Sequence, residues 1–388
     1  MYSRTRAAAD MALVSRRLRR PRAWPGAPRR AILAGVTREE LLAAAEPRWR
    51  ALRERRAELG GAVDMQRVLV TRGLDLGAAL DRQPLPVAPR PAGALAARLA
   101  GGEPVGLDEG VEVDAALLGP YLLGFCDDLA AGGAGAPARH LREVLERGEI
   151  DVGSLLAASL GRRQAAIRTR AVHVGVSPDL TWVVAEMAVG PLACRLRQHV
   201  LAEADPDPER AAADAGSELA AALRSWGRGY CPACGSWPAL AELGAGDPGD
   251  GDPGDRGADD RGADGAGDGD ADRADAGRRL RCSFCGAGWP CAPGACIYCG
   301  AGGEGLLAAA GAGEAQRAEL CRSCGGYLKC VAGGAPAPFE LLPVIDLETS
   351  DLDAGAMERG YGRPSMREAD APAPPCPPAG EADNPPPG

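Results

Sequence analysis

Four short stretches decide the fold: CPACG at 231–235, CSFCG at 282–286, CIYCG at 296–300 and CRSCG at 321–325. Each has two cysteines separated by two residues and followed by a glycine. Such a knuckle is a tight turn that begins at one thiolate and ends at the other. The glycine can take the positive φ that turns backbone N–H groups toward the sulfurs. Because four thiolates hold one ion in a tetrahedron, four knuckles predict two four-sulfur sites.

The spacing of the knuckles predicts how they pair. Cys299 and Cys321 are separated by 21 residues, a normal span for a hairpin. Cys234 and Cys282 are separated by 47 residues, but 34 of these form the acidic stretch 244–277, and 13 remain without it. Sequential pairing is therefore the prediction. The expected metal ligands are Cys231, Cys234, Cys282 and Cys285 in one site, and Cys296, Cys299, Cys321 and Cys324 in the other.

The other cysteines belong to no knuckle. The chain has 13 cysteines in 388 residues, which does not resemble a small secreted disulfide scaffold and suits a reducing compartment. Cys126 and Cys194 lie in apolar helical runs and are interpreted as small core residues. Cys291 and Cys330 could each replace a ligand, but are interpreted as spare, and Cys376 as a stray thiol. His140, His173 and His199 stand in no ligand motif and are interpreted as structural.

The region before the knuckles predicts helices. Thr37 followed by Glu40 is a capping-box pattern, and apolar residues then recur at helical spacing to about Leu59. Apolar runs at 111–130 and 139–160 also look helical, residues 83–95 form a Pro-rich loop, and a last helix covers about 207–226. Ser177 before Pro178 is a helix start. The buried stripe expected after it is Leu180, Val183, Val184 and Met187.

These observations predict an α+β multidomain chain, in which an all-helical domain precedes two small rubredoxin-like or zinc-ribbon metal-binding domains. Residues 244–277 carry eleven Asp and three Arg without a bulky apolar residue, and are expected to be a disordered acidic insertion. The predicted units are a disordered basic arm at 1–36, the helical domain at 37–228, the first ribbon at 229–292, the second ribbon with a C-terminal segment at 293–363, and a disordered Pro-rich tail at 364–388.

Charge and motifs limit the function. A net charge of −9 excludes a generally basic nucleic-acid binder, and no run of 18 apolar residues predicts a membrane span. No serine elbow, phosphate loop or paired-carboxylate site supports an enzyme. Three classes stay open: a maturation or chaperone protein, a nucleic-acid-binding ribbon using Arg278, Arg279 and Arg281, and an electron carrier or thiol oxidoreductase. Trp237, Trp289 and Tyr327 are interpreted as core rather than stacking platforms.

The knuckles and their surroundings resemble the formate dehydrogenase accessory proteins of the FdhE family. The first knuckle continues as Ser236-Trp237-Pro238, and Trp289 follows the second knuckle. The clearest likeness is AELCRSCGGYLK at 318–329, which contains the chain's one lysine, Lys329. PVIDL at 343–347, LD at 352–353 and ERGY at 358–361 also resemble the family's C-terminal segment, and PDL…AEM at 178–187 its helical domain.

The resemblance implies a cytoplasmic, non-catalytic maturation factor. Such a protein binds the catalytic subunit of a respiratory formate dehydrogenase and helps to bring it to an active state before export. Its cofactors would be two iron ions of the rubredoxin type, or zinc, one in each four-cysteine site. The groove between ribbons and helices is the expected contact with the partner, no nucleic acid is expected, and a homo-oligomer stays open.

Overall fold

The computed structural model of the protein describes residues 36–85, 87, 90–201, 217–244, 278–310, 316–332 and 336–364. The predictions for the basic arm, for nearly all of the acidic insertion and for the Pro-rich tail with Cys376 fall outside these residues. So does the first half of the helix predicted at 207–226. None of the helices within the described ranges is long and apolar enough to cross a membrane.

The described residues before the first knuckle are mainly helical. They are α1 (Arg38–Arg55), α2 (Gly60–Asp81), α3 (Ala92–Ala100), α4 (Ala115–Leu129), α5 (Gly135–Glu146), α6 (Val152–Leu160), α7 (Gln164–His173), α8 (Pro178–Val200) and α9 (Glu218–Arg224). Two short helices, α10 (Leu342–Glu348) and α11 (Ser350–Glu358), follow the second ribbon. The predicted fold class, a helical part followed by a small sheet with two four-cysteine groups, is confirmed.

The predicted helix starts are confirmed by their hydrogen bonds. The Thr37 hydroxyl accepts from the Glu40 amide at 3.2 Å, and the Glu40 carboxylate accepts from the Thr37 amide at 2.7 Å. Ser177 caps α8 in the same way through the Leu180 amide. Three boundaries differ from the prediction. The α-helix of α1 ends at Arg55, with a 3₁₀ turn at Ala57–Leu59, and the apolar run at 139–160 is split between α5 and α6. The predicted loop at 83–95 is too long, because α3 begins at Ala92.

The predicted buried stripe of α8 is partly wrong. Val184 is buried, but Val183 is 44% exposed, and Leu180 and Met187 are half-buried. The buried face of α8 combines large residues such as Trp182 and Leu192 with small ones, Ala185 and Ala188, which are fully buried. Small side chains let helices approach closely at these positions.

Six short strands form one sheet. They are β1 (Leu240–Leu243), β2 (Arg278–Arg281), β3 (Gly288–Pro290), β4 (Leu306–Ala310), β5 (Gln316–Cys321) and β6 (Tyr327–Ala332), in the order β3-β2-β1-β6-β5-β4. Neighbours within each half are antiparallel, as in two ribbons. The halves are joined by β1 and β6, which pair in parallel from Ala241↔Cys330 to Leu243↔Ala332.

The first ribbon shares its core with the helices. One continuous apolar cluster contains Leu122 and Leu156 of the helical part together with Leu280, Trp289 and three knuckle cysteines. The second ribbon contributes only Ile297, Leu328 and Cys330 to this cluster, and it packs Leu320 and Tyr327 against Leu352 of α11 in a separate, smaller cluster. The two ribbons therefore have different surroundings although they belong to one sheet.

Candidate metal centres

All four knuckles fold into the same turn. In each, the glycine amide donates to the carbonyl of the first cysteine, at 2.9 Å for Gly235, 3.0 Å for Gly286, 2.8 Å for Gly300 and 2.9 Å for Gly325. The amide of the first cysteine donates back to the carbonyl five residues later, at 2.8 to 2.9 Å. All four glycines have a positive φ of 69 to 77°, a region that favours glycine. The glycine of the C-x-x-C-G pattern is thus explained by the backbone conformation that the turn requires.

The turns bring the eight knuckle cysteines together in two groups of four. The first group contains Cys231, Cys234, Cys282 and Cys285, and the second contains Cys296, Cys299, Cys321 and Cys324, with the sulfurs of each group within 4.8 Å of one another. The grouping is the sequential pairing that the spacing predicts. The register of the first hairpin explains it, because Leu243 pairs with Arg278 and the acidic insertion lies between these paired ends.

The donor set and its spacing fit a tetrahedral metal ion. Cross-knuckle Sγ–Sγ distances are 3.5 Å (Cys231–Cys285) and 3.6 Å (Cys234–Cys282) in the first group. They are 3.7 Å (Cys296–Cys324) and 3.6 Å (Cys299–Cys321) in the second. A tetrahedron with metal–sulfur bonds of about 2.3 Å has edges of about 3.8 Å. Each group can therefore hold one ion with little rearrangement, and four thiolates suit zinc and iron alike.

The first group lies against the helical part. Cys231, Cys282 and Cys285 are each 0% exposed. The loop before α4 covers the first knuckle, since the Val105 amide donates to the Pro232 carbonyl at 2.9 Å. The Arg197 Nε of α8 donates to the Cys285 carbonyl at 3.1 Å.

A guanidinium lies beside the first group. Arg162 stacks on the Phe284 ring at 3.9 Å and pairs with Glu186 at 2.6 Å. Its positive charge favours the thiolate of Cys234. Arg162 is also the non-glycine residue with a positive φ, 56°, in the part of the chain that the structure describes. No sequence signal pointed to this residue.

The second group lies at the surface. Cys296 and Cys321 are 6% and 1% exposed, but Cys299 is half-buried and Cys324 is exposed. Backbone amides of Ser323 and Cys324 face the Cys321 sulfur and favour its thiolate. Burial raises the pKa of Cys321, but these hydrogen bonds outweigh that effect and lower the pKa to about 7.

Burial opposes deprotonation elsewhere in the groups. It raises the pKa of Cys231 and Cys285 well above the usual range. An ion bound by these sulfurs must displace their protons, so metal affinity should fall as the pH falls.

Sequence reasoning missed a buried network beside the second ribbon. The Lys329 side chain is 0% exposed, and its Nζ lies 2.6 Å from the Asp346 carboxylate and 2.8 Å from that of Asp353. The Tyr327 hydroxyl donates to Asp353 at 2.7 Å. Arg363 lies 3.3 Å and 3.2 Å from the two carboxylates. A lone lysine in an Arg-rich chain was the signal that could have found it.

The remaining cysteines and histidines lie outside both groups. Cys126 and Cys194 are buried, and burial raises the pKa of the two thiols to about 12 and about 11, as suits small core residues. Cys330 is buried on β6, and Cys291 follows β3 with its sulfur 3.3 Å from Arg278. The three histidines of the chain, all on helices, are exposed.

The aromatic residues of the knuckles belong to the core. Trp289 and Tyr327 are 1% and 3% exposed. Trp237 is half-buried and meets Tyr230 and Tyr298 edge to face, with ring centroids 6.0 and 5.1 Å apart. Because Tyr298 belongs to the third knuckle, Trp237 connects the two ribbons.

The arginine cluster of β2 is not an exposed basic patch. Arg278 is buried in an ion pair with Glu319. Arg281 is buried too, and its guanidinium lies 2.8 Å from the Glu242 carboxylate. Arg279 is half-buried. The side chains of Arg278 and Arg281 hold neighbouring strands together, so these two are not available to a nucleic-acid backbone.

A cavity of about 790 Å³ lies between the helices and the first ribbon. Its lining is mainly apolar and includes Met65, Phe125, Val183, Met187, Phe284 and Phe339. Two residues of the predicted stripe of α8, Val183 and Met187, thus face this cavity. An apolar cavity with a few charged groups at its edge is typical of a binding site.

The chain was compared with known proteins. No protein-family model matches it, and no curated protein does. It is similar to a solved structure, the crystal structure of the FdhE protein from Pseudomonas aeruginosa, with 21% sequence identity and a TM-score of 0.45, over 86% of this chain and 96% of that one.

Proposed function

We propose that the chain is an accessory protein, not a catalyst, which binds the catalytic subunit of a respiratory formate dehydrogenase in the cytoplasm and supports its activation before export. The observation that carries the proposal is that the family-like motifs coincide with the residues that build the sites. The residues that resemble the family are those that build the two four-cysteine groups and the Lys329 network. A frame of this kind, without a catalytic constellation, suits holding another protein.

The eight knuckle cysteines are the proposed ligands of two ions, one in each group. The metal would be iron of the rubredoxin type or zinc. In this proposal the ions keep the turns in shape, because small ribbons have too little core to fold without a metal.

The alternative functions have less support. A thioredoxin-type pair begins a helix, whereas every pair here lies in a turn. A nucleic-acid-binding ribbon needs exposed cationic side chains, but Arg278 and Arg281 are buried and form ion pairs with carboxylates.

The partner's contact is proposed at the cavity. Val183 is 44% exposed and lines it, whereas Val172 of α7 is 68% exposed and does not. Val183→Asp should weaken retention of the formate dehydrogenase subunit, because a charge would enter the apolar contact. Val172→Asp is the matched control and should leave retention unchanged. Equal retention by both variants would remove the cavity from the proposal.

The function is tested in cells that lack the chain. These cells should still make the catalytic subunit but show little formate dehydrogenase activity, and the subunit should co-purify with the restored chain. Cys231→Ser and Cys321→Ser variants should each fail to restore activity. Normal activity in the deletion strain, with the enzyme present and no second copy of the factor, contradicts the proposal.

A further inference from the structure

The two four-cysteine groups differ in how far solvent reaches them. Three cysteines of the first group are 0% exposed and belong to the main apolar core that includes the helices. No cysteine of the second group belongs to that core, and Cys324 is exposed. The two groups have the same ligands and the same turns, so only their surroundings distinguish them.

The space around the knuckle glycines shows this difference in coverage. A Cβ added to Gly286 would lie 3.0 Å from Phe339 and 3.3 Å from the Cys194 sulfur, and one added to Gly235 would lie 3.2 Å from Pro104. These contacts come from outside the first ribbon. A Cβ added to Gly325 of the second group would meet nothing within 4 Å. The first group is covered and the second is open at the turn of Cys324.

Coverage controls ligand exchange at a metal. An incoming donor must reach the ion before a sulfur leaves, or the turn must first open locally. Opening the first group separates it from α8 and from the loop around Val105. Opening the second group at the turn 321–325, where Arg322 and Ser323 are exposed, breaks the hydrogen bonds of that turn to Gly305 and Gly362. It leaves the contacts with α8 and with the loop around Val105 in place.

We propose that the two sites have different tasks, an inference that rests on the proposed metal binding. The first site holds its ion permanently and fastens the ribbon to the helices. The second site holds an exchangeable ion, which thiol or chelating ligands reach at Cys324. In the exchange a bond forms between the ion and the incoming donor, the bond to the Cys324 sulfur breaks, and the released thiolate takes a proton from water. No electrons are transferred.

The test follows zinc release from the full chain. Protein carrying two zinc ions under reducing, oxygen-free conditions is mixed with an excess of a chromogenic zinc chelator. One ion should be released faster than the other by on the order of a hundred-fold. Cys321→Ser should bind one ion and lose the fast phase. Release of both ions at one rate, a fast phase that survives in Cys321→Ser, or a chain that binds no zinc would overturn the inference.

A second variant keeps the test independent of ligand loss. Phe339→Ala removes the ring over Gly286 and should accelerate the slow phase by roughly tenfold or more without changing the fast one. Met357→Ala, at a site 65% exposed on α11, is the matched control and should change neither phase. An unchanged slow phase in Phe339→Ala would contradict the covering role.

The outcome separates this inference from the proposed function. Equal release rates combined with a deletion strain that lacks formate dehydrogenase activity reject only the division of tasks. Unequal rates combined with normal activity in that strain reject only the accessory function.

Discussion

Lys329 shows what a single residue contributes to the second ribbon. Its ammonium group is fully buried, and its charge is balanced by the carboxylates of Asp346 in α10 and Asp353 in α11. The pairs therefore attach both C-terminal helices to β6. A buried cation without partners would be costly, so the lysine and its partners must be kept together.

Replacing Lys329 with Met should lower the free energy of unfolding by about 1–3 kcal/mol, because charged hydrogen bonds are lost while the volume is kept. Denaturant unfolding of the metal-loaded protein measures this. Arg322→Met, at an exposed position of the same ribbon, should cost much less. Equal effects of the two substitutions would show that the network adds no stability.

The stability that Asp346 contributes should depend on pH. Although burial raises it, the charges of Lys329 and Arg363 hold the pKa of Asp346 below its usual value of 3.8. A lowered pKa means that the carboxylate stabilises the fold above about pH 4, and that this stability is lost as the pH falls through the folded-state pKa. The difference in melting temperature between the native chain and Asp346→Asn should thus be present at pH 6 and shrink toward pH 3. A difference that grows on acidification would contradict this, and Glu358→Gln, at an exposed site, is the control.

At the scale of elements, the knuckle turns allow a matched comparison. Gly286 and Gly325 have the same conformation, with φ of 70° and 69°. Gly325→Ala should cost about 1 kcal/mol for the left-handed backbone alone. Gly286→Ala should cost about 2–4 kcal/mol, since its Cβ also meets Phe339 and Cys194. Denaturant unfolding of the two metal-loaded variants measures the difference. Equal costs would mean that Phe339 and Cys194 can move away from the added Cβ without a loss of stability.

The hairpin of β1 and β2 should tolerate loss of the acidic insertion. Leu243 and Arg278 are paired, so a short turn can join the strands directly. Deleting 245–276 should leave metal content and partner binding unchanged. The shorter loop should raise the free energy of unfolding by about 2–3 kcal/mol at most. Elemental analysis and co-purification test this, and loss of accessory activity would identify the insertion as a binding element.

Signals from residues close together in the sequence predicted the helices and turns. They did not predict as well which surfaces of these elements are packed in the core. Thr37 and Ser177 revealed helix starts because a cap depends on residues only three positions apart. The C-x-x-C-G knuckles were equally local. The stripe of α8 was misjudged because Val183 and Met187 are apolar whether they face a core or a cavity, and only the tertiary arrangement decides.

At the scale of the molecule, metal content is the first quantity to measure. The chain should contain two ions, and Cys231→Ser or Cys321→Ser should each lose one, since three thiolates hold an ion less tightly than four. Cys330→Ser should keep both, because that sulfur lies on β6 outside the groups. Elemental analysis of reduced protein that finds one ion or none in the native chain contradicts the eight-ligand assignment.

Contacts distant in sequence were out of reach. Nothing in the residues of β1 indicates that it pairs with β6 rather than ending a separate ribbon, because both strands are short and mainly apolar. The coverage of the first group by Pro104, Arg197 and Phe339 likewise comes from three separate segments. Sequence therefore predicted which cysteines meet, but not which of the two groups the helices enclose.

The parallel pairing of β1 with β6 also has a consequence for synthesis. Ala241 leaves the ribosome about ninety residues before its partner Cys330, so the early half-sheet must wait with one edge open. Domains form as they emerge, N-terminal first. The first ribbon can take up its ion and close against the helices during that interval. Translation order would then populate the enclosed site first, while an intermediate with an unpaired β1 edge passes through the cell and is the species most exposed to aggregation.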